Sequence, residues 1–356
     1  MRIFKSCTMK KIFIICMSLC CFISIRGQDQ ILKYEVNNVG ELQYNITDAR
    51  EKDVKYVNLL SMEASLRTDK WWKNGSFDIA FWSVGRTFSQ NIANDFLTFS
   101  NIEEDNFWLV CSKFGYQQTF GDFSLFAGIR NMNLDYFNSP YSSFFTNSSA
   151  GIFPTISINY SVPNYPLGAI GLHTEYMKGT INIKNSYYNN LDNINKGLVF
   201  NLKFNPKEYG FVNITQFAYM PVDGFYAGGV ALNKLPEESL KYSLYMLAEQ
   251  TILKTGKQNL GVVAQLGYAP KKSNECYLYY GVGVVLDNLF GRDGGDIIGL
   301  NAFRANTSQG AETALEMSYK YIITSHISIQ PALHYIHTQG KDDLVGLLRG
   351  SFTFGN

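Results

Sequence analysis

The sequence predicts an all-β fold, a closed antiparallel transmembrane β-barrel, with 16 strands as the natural count and 18 as the rival. Three observations predict it. Beyond residue 28 the chain alternates apolar and polar residues with period two, as strands do. The alternating segments mostly run longer than the 5–6 residues typical of soluble sandwiches, and match the roughly 9–11 that a tilted membrane strand needs. Only 17% of the residues are charged, while aromatics reach 15%; soluble domains carry about 25% charge.

The first 27 residues read as a signal peptide. Arg2, Lys5, Lys10 and Lys11 precede an apolar run from Ile12 to Ile25, with cleavage expected after Gly27. The apolar run is shorter than the roughly 20 residues of a membrane-spanning helix. Residues 28–356 form the barrel domain. The leader holds five Lys/Arg and no acid, so the remaining chain has 26 basic and 30 acidic residues, net −4. That balance, with no basic cluster, excludes a nucleic-acid partner. Four of the six cysteines fall in the leader, leaving Cys111 and Cys276, which are too few for a disulfide scaffold.

Strands are predicted at 40–47 (weak), 56–68, 75–84, 105–117, 121–130, 153–162, 167–179, 196–205, 209–220, 223–233, 241–253, 259–270, 274–287, 296–305, 310–323, 327–335 and 344–354, with 180–189 doubtful. In 259–270, Leu260, Val262, Ala264, Leu266 and Tyr268 share one face, opposite Gly261, Val263, Gln265 and Gly267. Near the C-terminus Leu344, Leu348, Phe352 and Phe354 oppose Asp343, Arg349, Ser351 and Thr353. At about 20 residues per strand and connection, the 329 residues after the leader allow 16. Trp71-Trp72, Tyr187-Tyr188 and Tyr209 stand near segment ends, where an interfacial girdle belongs. Some connections are short and others long, as at the two rims of an outer-membrane barrel. With the apolar faces toward lipid, 16 strands enclose a watery bore, and no segment reads as a separate plug.

The inward candidates are then Glu63, Arg67, Asp78, Trp82, Phe126, Arg130, Glu175, Lys203, Glu249, Tyr277, Tyr279, Glu312, Glu316, Lys320, Gln330, His334 and Arg349. Of these, Arg130, Glu249, Glu312, Glu316 and Arg349 are the foremost lumen and solute-contact candidates, with Glu63, Arg67, Trp82, Lys203, Gln330 and His334 beside them. Mixed acids and bases supply both hydrogen-bond donors and acceptors to a solute in the bore. The same charges, paired, serve equally to stiffen the wall. No catalytic, metal or cofactor site is expected. His334 and His337 lie an odd number apart and face opposite sides. His173 shares a face with Glu175, but no serine stands near it in sequence. The Gly-Arg-Asp-Gly-Gly-Asp run at 291–296 lacks the spacing of an EF-hand.

From Glu41 onward the chain resembles the OprB family of carbohydrate-selective porins. The residues that carry the likeness, in order, are Phe99-Ser100-Asn101-Ile102-Glu103, Phe137 with Phe145-Thr146-Asn147-Ser148, Tyr165-Pro166-Leu167-Gly168 and Ala248-Glu249-Gln250. Gly283, Leu289, Gly291-Arg292 and Asp296 follow, then Glu312, Glu316 and Tyr319, and Ser328-Ile329-Gln330-Pro331. The resemblance implies a 16-stranded barrel and passive diffusion of sugars across the outer membrane of Gram-negative bacteria. A monomer and a trimer both fit it. The sequence departs from the family at Gly128-Ile129-Arg130, Ala332, His334, Thr47-Asp48 and the C-terminal Phe354-Gly355-Asn356, and its length implies trimmed external loops. Two other readings compete: a barrel whose loops serve adhesion, and a membrane-embedded hydrolase.

Overall fold

A computed structural model describes residues 31–47, 54–191, 200, 202–291 and 295–356. The leader expected at 1–27 lies outside the described residues. So do Asp48 and Arg292.

The described residues of the barrel contain 16 strands: β1 Leu32–Asn45, β2 Lys55–Arg67, β3 Gly75–Arg86, β4 Phe107–Phe120, β5 Phe123–Arg130, β6 Ala169–Lys178, β7 Ile181–Asn189 and β8 Phe211–Tyr219, then β9 Gly224–Lys234, β10 Lys241–Thr255, β11 Gln258–Tyr268, β12 Cys276–Asp287, β13 Asp296–Thr307, β14 Ala311–Thr324, β15 Ile327–Thr338 and β16 Lys341–Gly355. Each strand pairs with its sequence neighbours. β1 closes the ring on β16 in antiparallel register, with Glu41 opposite Arg349. Closure leaves no strand edge, which hydrocarbon would not tolerate.

Alternation sets the faces as the sequence predicts. Along β14, Glu312, Ala314, Glu316 and Ser318 point inward and are buried, whereas Leu315 and Met317 point outward and are about half exposed. The tight turns 121–122, 179–180, 256–257 and 325–326 lie on the rim that carries the chain ends. The long connections 87–106, 131–168 and 190–210 lie on the other rim. The β13–β14 and β15–β16 links on that second rim are short, at 308–310 and 339–340.

The count of 16 is reached by a different set of segments. Residues 180–189, doubtful by pattern, form β7, and the weak first segment extends into β1. The segment 153–162 is not a strand. It lies in the β5–β6 loop, where Pro154 opens a single helical turn, α1 (Pro154–Ser157). Its apolar residues Phe153, Ile156, Tyr160 and Val162 are buried inside the barrel rather than turned to lipid. Alternation reports that one face is dry and does not say what dries it. Within 196–205, residues 196–199 and 201 lie outside the described residues. The rest carries no strand and leads into α2 (Pro206–Tyr209).

The aromatic rim is also partly different. Trp71 is 64% exposed and clusters with Trp72, Phe77 and Tyr116 at the β2–β3 turn. Tyr187 faces outward, but Tyr188, one residue on, points inward and is fully buried. Cys111 and Cys276, on β4 and β12, are both buried and free.

One backbone contact makes a direct stability prediction. Gly115 on β4 and Gly128 on β5 face each other in register, and Gly128 has φ +145°. A Cβ on Gly128 would lie 2.2 Å from the Phe114 carbonyl oxygen and 2.6 Å from the Gly115 Cα. Gly128→Ala is therefore expected to lower barrel stability by about 2 kcal/mol. The loss would be read from the urea midpoint of the folded, fast-migrating band on unheated gels.

Candidate functional site

The bore is not an open cylinder. The β3–β4 loop (87–106) and the β5–β6 loop (131–168) fold inward and dock on the wall, so the bore is narrowed by its own connections. Phe137, Phe145, Phe153, Ile156 and Tyr160 pack in one cluster with inward wall residues Tyr188, Val212, Ile214, Tyr245, Leu247, Val263, Tyr279 and Phe303. Ring centroids of Phe137 and Phe153 lie 4.9 and 5.4 Å from that of Tyr245. Gly261 is required here because a Cβ would sit 2.1 Å from the Tyr141 ring. The β7–β13 half of the barrel is thus filled. Inward residues that stay accessible lie on β14–β16 and β1–β4, including Ser61, Glu63, Trp82, Lys113, Lys320 and Arg349. A lane along that wall is where solute can pass.

Wall carboxylates hold the two loops. Glu316 accepts the backbone N–H of Thr146 at 2.8 Å and of Asn147 at 3.0 Å, one on each oxygen, and His334 Nε2 lies 2.9 Å from the Thr146 hydroxyl. Glu249 accepts from the N–H of Tyr141 and Ser142 at 3.0 and 2.6 Å, and from the Ser139 hydroxyl. Glu312 accepts from the N–H of Phe96 and Leu97 at 2.7 and 3.3 Å. Gln330 donates to the Phe144 carbonyl at 2.9 Å. The loops also bond to each other, through Asn101 N–H to the Thr146 carbonyl (2.7 Å) and Ser148 N–H to the Thr98 carbonyl (2.8 Å). Buried N–H groups in loops need acceptors, and an ionised carboxylate is a strong one. The Phe-Thr-Asn-Ser and Phe-Ser-Asn-Ile segments are therefore docking sequences.

The lane itself is built around Arg349. Its Nε donates to Glu41 Oε1 at 2.7 Å and its Nη2 to the Asn101 side-chain oxygen at 2.6 Å. The Ser100 hydroxyl donates to the other Glu41 oxygen at 2.6 Å. On the next segment of wall Lys113 pairs with Asp78 at 3.0 Å, and the rings of Trp82 and Tyr165 lie 5.3 Å apart. The Tyr165 hydroxyl donates to the Ile102 carbonyl at 2.8 Å, tying that ring to the docked loop. Glu103 receives Lys55 and faces Arg86, whose Nη1 is 3.8 Å away.

The predicted candidates thus divide. Glu63 and Arg67 lie exposed on β2, Arg67 paired with Asp69. Trp82 and Arg349 line the lane. Glu249, Glu312, Glu316, Gln330 and His334 are buried as loop anchors. Arg130 is buried as well, bidentate on Asp135 at 2.6 and 2.5 Å and 4.8 Å above the Phe126 ring. Burial pushes the Asp135 carboxyl up, but the Arg130 guanidinium outweighs it and holds the carboxyl below its ordinary range. Lys203 is a correction: it sits in the β7–β8 connection, paired with Glu208 at 2.6 Å, and not on a wall strand. In the β3–β4 loop burial, with Glu103 and Asp343 nearby, raises Asp95 to about 7 against the opposing Phe99 N–H.

Sequence reasoning missed Glu41, Asn101 and Tyr165 as lane residues. Asn101 and Tyr165 lay within motifs quoted for the family, and Glu41 alternates with Gln43 and Asn45, which is an inward polar face. It also missed the serine beside His173. Ser186, across the β6–β7 pair, places its Oγ 2.7 Å from His173 Nδ1, and His173 Nε2 is 3.6 Å from Asp135. Ser186 is fully buried and also bonded to the Tyr136 hydroxyl at 2.8 Å, so this trio sits beneath the loop, away from solvent.

Comparison with known proteins agrees with this geometry. Residues 216–354 match the family described as carbohydrate-selective porin, OprB family. This part of the chain is similar to that family. Among solved structures, the high-pH structure of Pseudomonas putida OprB superposes with a TM-score of 0.80 at 16% identity, covering 92% of this chain and 95% of that one. An anion-selective porin from Comamonas acidovorans gives 0.57 at 10% identity, covering 91% and 99%. OmpT of Vibrio cholerae, as a loop-deletion mutant, gives 0.58 at 9%, covering 91% and 99%. No curated protein matches the chain. The OprB match contains all five anchors, Glu249, Glu312, Glu316, Gln330 and His334, while the loop motifs they hold lie upstream of it.

Proposed function

We propose that this OprB-like barrel is an outer-membrane porin through which carbohydrates diffuse passively along the β14–β4 lane. The observation that carries the reading is the lane's composition. Arg349 and Lys113, held in place by the buried Glu41 and Asp78, present their remaining N–H groups beside the Asn101 amide and the Trp82–Tyr165 rings. Hydroxyls can exchange water for these partners, and an aromatic face can meet a pyranose ring. Passage demands that each contact be weak enough to leave. Residues 1–27 act as the export signal in this reading, and the long-loop rim faces outward.

Swelling of proteoliposomes across a series of mono- and oligosaccharides tests it. Rates should fall with chain length, and added oligosaccharide should interrupt single-channel current in planar bilayers. Absence of channels, or channels indifferent to oligosaccharide, would sink the proposal. Arg349→Glu is expected to raise the potassium-to-chloride permeability ratio several-fold, seen as a shift of the zero-current potential in a KCl gradient. The same reversal at Arg130 should leave that potential nearly unmoved, because Arg130 is neutralised by Asp135 behind the loop.

A further inference from the structure

The wall spends its acids and its bases unequally. Glu249, Glu312 and Glu316 each receive adjacent loop N–H groups, and Glu41 receives Gln43, Ser100 and Arg349. Their oxygens are occupied before any solute arrives. Lys320 on β14 has no hydrogen-bond or ion-pair partner among the described residues, although it points inward and is only partly exposed. It lies in the row that runs across the wall through Gln330, Arg349 and Glu41. Gln330 is in register with Arg349 and Arg349 with Glu41, while the adjacent Tyr321 is in register with Ile329. Arg349 adds to that row an Nη1 that makes no hydrogen bond among the described residues. Glu63, an exposed acid on β2, also has no partner among the described residues, but it lies outside this row, in register through Ala80 with a Lys113 that Asp78 already holds. What the row leaves unsatisfied is therefore positive and donating. A partly desolvated ammonium without a counter-charge attracts an anion, and an arginine edge next to it suits a two-oxygen acid group.

We propose that the lane favours carbohydrates bearing a carboxylate, of the uronic-acid type, and that Lys320 with Arg349 Nη1 is where the carboxylate is received. The inference rests on the sugar-porin reading and narrows its substrate class. The attraction is that of a solvated ion pair, so the preference is modest and permits release.

The test is uptake of labelled glucuronate and labelled glucose by proteoliposomes of the full barrel, with potassium and valinomycin clamping the membrane potential. Glucuronate is expected to enter roughly threefold to fivefold faster than glucose. Lys320→Gln should bring that ratio toward unity and shift the KCl zero-current potential toward potassium. A glucose rate equal to or above that of glucuronate in the unaltered protein overturns the inference and leaves the porin reading standing. Entry of neither sugar through a barrel that conducts salt overturns both. A high ratio that Lys320→Gln does not move removes Lys320 from the role. If the variant does not insert, the ratio in the unaltered barrel decides.

Discussion

Removing the Glu316 carboxylate should widen the passage. In Glu316→Ala the N–H groups of Thr146 and Asn147 lose both acceptors, and the Thr146 hydroxyl and Ser318 hydroxyl lose a partner with them. Leaving a buried donor unpaired costs about 1–3 kcal/mol per group, a cost that Thr146 and Asn147 escape by turning to water while the Phe137 and Phe153 rings stay packed. The Thr146 stretch should move off the wall. Because Asn101 N–H donates to the Thr146 carbonyl, the Ser100-Asn101 segment beside Arg349 should loosen with it. Single-channel conductance is expected to rise about twofold in Glu316→Ala. With Glu249 and Glu312 also replaced by alanine, it should rise several-fold and admit longer oligosaccharides. Glu316→Gln, which keeps one carbonyl oxygen, should fall between the wild type and the alanine variant. An unchanged conductance and size limit in a barrel that still runs as the folded band would show that these carboxylates do not hold the loops.

That result would also explain how the sequence could be read correctly as a barrel and incompletely as a site. Period two reports which face of a strand is dry, and it put Glu312 and Glu316 on the inward face, where the structure has them opposite Leu315 and Met317. Inward polarity therefore identified the right residues. It could not tell an acid that faces water from one that faces a folded loop, since both are inward carboxylates. The distinction lies in residues far away in sequence: Glu316 meets Thr146 at a separation of 170 residues, and Glu249 meets Tyr141 at 108. The same blindness produced the strand expected at 153–162, where Phe153 and Ile156 are dry against Tyr245 and Tyr279 rather than against lipid. Lys203 fell on the bore for a related reason, since a segment alternating near α2 looks like wall until its pairing is known.

The orientation of the apolar face can be challenged directly at Met317. It lies midway along β14, is 49% exposed, and stands in register with Leu300 and Leu333 on either side. Together with Val282, Val284, Leu315 and Leu344 these residues border an outward groove of about 470 Å³ with an almost wholly apolar lining. In a bilayer this groove takes hydrocarbon, and an arginine there must desolvate, snorkel or thin the membrane. Such a charge costs about 2–4 kcal/mol at the midplane of a barrel and about 0–1 near the interface. Met317→Arg should therefore cost several times more folding free energy in lipid vesicles than Tyr321→Arg, which is four residues nearer the rim on the same face. The gap should shrink in detergent of short chain length, where the apolar layer is thin and yielding. Inward, the size of the effect no longer follows depth: Ser318→Arg would disturb the Glu316 anchor and not the lipid contact. Equal costs at Met317 and Tyr321 would mean that β14 does not present this face to hydrocarbon, and the wet lane on its other side would lose its physical basis.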